Sequence, residues 1–101
     1  MTEIAIDLHA LANQLVDEES FIVFISALAA DWREEREIEA LRPQPPFSSG
    51  ALGWENGSIG TFLETAAAWG ESSAKGLPHY SKPSNHWGRA AHILLAGKFY
   101  K

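Results

Sequence analysis

No cysteine occurs anywhere in this chain. That excludes a disulfide framework, thiol catalysis and any thiolate metal site, and it fits a reducing compartment. Long apolar runs are missing too. The longest, Phe21-Ile22-Val23-Phe24-Ile25, falls far short of the roughly 20 residues that span a bilayer. The N-terminal stretch Met1 to Asp7 lacks the basic-then-apolar layout of a signal peptide, so the cytoplasm is the expected location and no membrane association is expected. Positive charge is scarce: 8 Lys and Arg stand against 13 Asp and Glu, for a net charge of −5. Nucleic-acid binding requires a cationic face to neutralise phosphates, and these scattered cations do not supply one.

Recognisable catalytic motifs are also wanting. There is no H-E-x-x-H, no pair of histidines four apart, no calcium loop, no phosphate-binding glycine loop and no G-x-S-x-G elbow. His86 and His92 fall on different faces of any helix that carries both, while His9 and His79 lie in other segments. The expectation is therefore no catalytic residue, no metal site and no cofactor.

What is present is an ordinary globular composition. With 101 residues, 46% apolar and 21% charged, one domain with one core is expected. Ile4, Leu8, Leu11 and Leu15 predict a first helix over about 4–16. Asp17, ahead of Glu18 and Glu19, is a good N-cap for a second helix ending near Ala40 or Leu41. Its apolar stripe is Phe21, Phe24, Ile25, Leu28 and Trp32. Pro43, Pro45 and Pro46 end it and open a loop over about 43–53. Asn56 is the expected cap of a third helix over about 57–69, with Ile59, Phe62, Leu63, Ala66 and Trp69 inward and Gly70 as its stop. A second loop over about 70–83 leads to a fourth helix, capped by Ser84 or Asn85 and ending near Gly97 or Lys98. No alternating apolar segment demands a strand. The predicted fold is an all-α compact bundle of about four helices with two long loops.

Two stretches carry a resemblance. They are Trp54-Glu55-Asn56-x-x-Ile59-x-x-Phe62-Leu63-Glu64-x-Ala66-x-x-Trp69 and Trp87-x-x-Ala90-Ala91-x-Ile93-Leu94-x-Ala96-x-Lys98-x-Tyr100. Together they resemble a family of small bacterial all-helical proteins of unknown function, over about residues 17–101. Phe21, Phe24, Leu28 and Asp31 match that family's first long helix. Gly57, Gly70 and Lys101 depart from the pattern, and the proline-rich loop reads as an insertion. The resemblance implies a helical fold and brings no activity with it.

Five residues are candidates for partner binding. Asp31, Glu35 and Glu39 recur every four residues and share one side of the second helix. They read as a solvated charged face or as a docking surface for a basic partner. Trp54 and Glu55 precede the third helix, where Trp54 either folds onto the core or serves as an exposed interface anchor. Glu64, beside the apolar stripe of the third helix, would need Lys98 or Arg89 as a partner if it were buried. The favoured reading is a small acidic cytoplasmic protein-binding module, an immunity- or antitoxin-like inhibitor of a basic protein being its most concrete form. The rival is a small-ligand-binding or enzymatic helical domain. Its pocket would be Trp-lined and would gather Glu55, Asn56 and His86.

Overall fold

Carboxylates at the start of a helix meet the positive end of its dipole, and a side-chain oxygen at the N-cap satisfies an orphan amide. Asp17 does this for the longest helix: its carboxylate accepts from the Ser20 N–H at 2.8 Å, while Ser20 Oγ accepts from the Asp17 N–H at 3.1 Å. The computed structural model describes residues 7–43, 45 and 50–100. It contains α1 (Leu8–Asn13), α2 (Glu18–Leu41), α3 (Ile59–Ala74) and α4 (His86–Phe99). Among the described residues there is no strand, and no helix is long and apolar enough to cross a membrane. The fold is all-α, as predicted.

Helix boundaries depart from expectation in instructive ways. α1 is shorter than the 4–16 expected and stops at Asn13, although Leu15 beyond it is still buried; Ile4 lies outside the described residues. α3 starts later than expected, and its N-cap is Ser58 rather than Asn56. Ser58 and Thr61 form a capping box. Gly70 does not stop α3. A mid-helix glycine disfavours the helix by about 1 kcal/mol, but the Gly70 carbonyl accepts from Arg89 of α4 at 2.9 Å. The real stop is Gly76, whose φ of +94° is left-handed. The second loop accordingly begins near Lys75. α4 is capped by Asn85 and continues to Phe99.

α4 is the hub. It packs against α1, α2 and α3, whereas no Cα of α2 comes within 8 Å of one in α3. The core gathers Leu8, Ala12 and Leu15 from the N-terminal segment, Phe24, Ala27 and Leu28 from α2, Trp54 from the connecting loop, and Ala91 and Leu95 from α4. Trp32 and Trp87 pack against this cluster, half-buried. Not every residue of the predicted stripes faces inward. Ile25 is 44% exposed, Leu63 54% and Ile59 80%, because the two helices that carry them lean on α4 and leave a gap between themselves.

Candidate functional site

Residues four apart on a helix stand one above the other, so Asp31 and Glu35 share a face of α2. That face looks into the protein. Glu35 is fully buried, and its Oε1 accepts the backbone N–H groups of Leu52 at 3.0 Å and Trp54 at 3.2 Å. Its Oε2 pairs with Arg36 at 2.9 Å, and the Arg36 guanidinium lies 4.3 Å over the Trp32 ring. A carboxylate removed from water needs such partners. The loop that supplies them turns tightly. Gly53 N–H donates to the Gly50 carbonyl at 2.9 Å and Gly50 N–H to the Trp54 carbonyl at 3.1 Å. A Cβ at position 50 would overlap the Glu35 carboxylate, so glycine is required where backbone and carboxylate meet.

One turn earlier, Asp31 Oδ2 accepts from the Trp54 indole N–H at 2.8 Å and from Lys98 Nζ at 2.6 Å. Lys98 is buried near the end of α4, with its ammonium 4.8 Å from the Phe99 ring and 5.6 Å from Trp54. The next residues of the loop fasten onto the same helix end. Glu55 N–H donates to the Lys98 carbonyl at 2.8 Å. The Asn56 amide donates to the carbonyls of Gly97, at 2.8 Å, and Tyr100. These are the carbonyls that a helix C-terminus leaves without intrahelical partners.

This frame sets Trp54 between the separated backbones of α2 and α3. Its ring lies 5.0 Å from Trp32 of α2, edge-on, and 5.9 Å from Phe62 of α3. Above it runs an open groove of about 540 Å³, floored by Trp32, Trp54, Leu28 and Phe62 and rimmed by Ile25 and Ala29 on one side and Ile59 and Leu63 on the other. Asn56, Gly57 and Ser58 line one end. The walls are almost wholly apolar, so the groove can hold aliphatic or aromatic surface with little competition from water.

The sequence-derived candidates are therefore relocated. Asp31 and Glu35 are not an exposed acidic face: Glu35 is inaccessible, and Asp31 is committed to Trp54 and Lys98. Glu39 is half-buried on the same row. Trp54 is not an exposed anchor; at 9% exposure it is a core residue. Glu55 is half-buried beside it. Glu64 is exposed and pairs with neither expected cation, since Lys98 holds Asp31 and Arg89 holds Ser73, Tyr80 and Gly70. The pocket anticipated around Glu55, Asn56 and His86 is not assembled. Asn56 binds one end of α4 and His86 opens the other, about 16 Å away at 1.5 Å per residue.

The helical spacing of Ile25, Ile59 and Leu63 predicts inward-facing residues, whereas they form the groove rims. For Ile25 the sequence holds a signal of exposure: the consecutive apolar residues 21–25 encircle a helix and cannot all face one core.

No curated protein and no solved structure matches the chain. A family match covers residues 17–101, from the Asp17 cap onward, and contains the whole groove and frame while leaving α1 outside. By that match the chain belongs to DUF7660, a family of unknown function.

Proposed function

We propose that this chain is a protein-binding module whose docking surface is the groove between α2 and α3, occupied by the apolar face of a partner's amphipathic helix. The supporting observation is the apolar trough itself, with Ile25, Ile59 and Leu63 standing exposed over a floor of tryptophan. Solvent-facing apolar surface of this kind, contiguous and rimmed by polar residues, marks interaction sites. The two helices keep this form without help from an occupant, because each is anchored on α4 and the Trp54 frame sets their separation. The site is thus preorganised, which spares a binding partner part of the ordering entropy.

The partner we assign is basic. The chain carries a net charge of −5, and exposed carboxylates flank the groove helices at Glu18, Glu19, Glu34, Glu37, Glu64 and Glu71. Complementary charge speeds encounter and disfavours wrong partners. An immunity- or antitoxin-like inhibitor acting in the bacterial cytoplasm, covering a basic protein by this face, is the most concrete form of the reading. It rests on small size, acidity and the charged second half of α2.

The test is affinity capture with the wild-type chain and an Ile59→Glu/Leu63→Glu variant in parallel. Both positions are exposed, so folding should be preserved within about 0.5 kcal/mol. A stoichiometric basic partner retained by wild type and lost by the variant supports the proposal. Equal capture by both proteins removes the groove from it, and absence of any stoichiometric partner removes protein binding.

A further inference from the structure

A second cavity, of about 280 Å³, lies on the other side of α4. Its walls differ in kind from those of the groove. His9 stacks on Phe99 with ring centres 5.0 Å apart, and Trp69 meets Tyr80 edge-on at 4.9 Å; all four rings line the cavity, with Leu95 and Ala96 beneath.

A polar chain crosses it. Arg89 donates to the Tyr80 hydroxyl at 3.3 Å, that hydroxyl meets His92 Nδ1 at 3.0 Å, and His92 Nε2 meets Asn13 Oδ1 at 2.8 Å. Asn13 Oδ1 can only accept, so Nε2 carries the proton and Nδ1 accepts from tyrosine. With its oxygen taken, the Asn13 side chain has N–H donation left to offer. Among the described residues no carboxylate lines the cavity. Arg89, half-buried behind the Trp69 and Tyr80 rings, is bonded to neutral groups: Ser73 Oγ at 2.8 Å, the Gly70 carbonyl at 2.9 Å and the Tyr80 hydroxyl. Among the described residues no acid pairs with it. An acidic protein thus holds an aromatic-walled cavity with, behind it, a cation that no described acid pairs.

We propose that this cavity binds a small planar aromatic carboxylate, its ring between the His9–Phe99 and Trp69–Tyr80 walls and its anionic group at the Asn13–His92 edge, facing the field of Arg89. The volume suits one ring with a short substituent; a cavity of about 150 Å³ is enough for benzene. Aromatic walls favour a flat ring, and the Arg89 guanidinium, bonded only to neutral groups among the described residues, selects the sign of the charge.

The test uses the full chain, ¹⁵N-labelled, titrated with benzoate, benzyl alcohol and benzylamine, which share a ring and differ in charge. Benzoate should bind tightest, about tenfold above benzylamine (~1.4 kcal/mol), with amide shifts centred on Asn13, His92 and Phe99. Arg89→Gln should abolish the preference. Because that change also cuts the bonds to Gly70 and Ser73, the surface variant Asn13→Ala is measured beside it and should weaken benzoate more than benzyl alcohol. Benzylamine binding as tightly as benzoate, shifts centred on Ile25, Ile59 and Leu63 instead, or no saturable binding by any of the three overturns the assignment.

Discussion

Glu35 Oε1 takes both loop amides while Oε2, among the described residues, takes the half-exposed Arg36. The two oxygens therefore differ in what they hold. Glu35→Ala leaves two amides without a partner and should destabilise by about 3 kcal/mol. Glu35→Gln keeps an oxygen in the Oε1 position and should cost about 1 kcal/mol. Urea unfolding of the two variants checks this; equal losses would mean the charge, rather than the two amide bonds, holds the loop. Gly50→Ala probes the same contact from the other side and should resemble the alanine variant, since its methyl group displaces the carboxylate. At Asp31 the reasoning is about a buried cation. Asp31→Ala strands Lys98 and should be worse than Lys98→Met, which leaves Asp31 bonded to the Trp54 indole. A double-mutant cycle between them measures the coupling.

At the scale of elements, the connections are made by caps that reach across the fold. Asn85 accepts the Gly88 N–H at 2.8 Å as the N-cap of α4, and its amide donates to the Leu15 carbonyl at 3.1 Å. Asn85→Ala should therefore lose about 2 kcal/mol, more than an ordinary cap, and thermal melting reads it. Asp17 and His92 each tie stability to pH. The Asp17 carboxyl is held below its ordinary 3.8 by the backbone and side-chain hydrogen bonds of Ser20. Its stabilising contribution is present above 3.8 and is lost as pH falls through the lower folded value. His92, between α4 and α1, is pushed below 6.5 by burial, with Arg89 and His9 adding to the effect. Unfolded chain then takes up a proton before folded chain does. Stability should decline as pH drops below 6.5, and the decline ends once the folded value is passed. His92→Gln should flatten that part of the curve; an unchanged slope would place its origin elsewhere.

At the scale of the molecule, α1 lies outside the family match yet contributes Leu8 and Ala12 to the core, with Leu15 just behind them. A chain reduced to residues 17–101 uncovers the surfaces of α2 and α4 that these residues cover. It should fold with a stability lowered by about 3 kcal/mol, measured by denaturant unfolding. A chain that failed to fold at all would make α1 an integral part of this core. The groove is also a property of the whole. It arises because α2 and α3 each take one side of α4 and stay apart, so no single helix contains it.

The sequence alone determined the local grammar. Asp17 with its following glutamates, the prolines after Leu41, and the helical spacing of Phe21, Phe24, Leu28 and Trp32 are read from neighbours along the chain, and the all-α fold and the bounds of α2 followed. Periodicity says which residues share a face; it does not say what stands opposite. So only the tertiary structure could decide that the Asp31–Glu35 row looks inward at a loop and that Asn56 closes the far end of α4. The same limit hid the exposure of Ile59 and Leu63. A carboxylate row and a leucine stripe become surface or interior through partners distant in sequence, and those partners are brought near only when the chain folds.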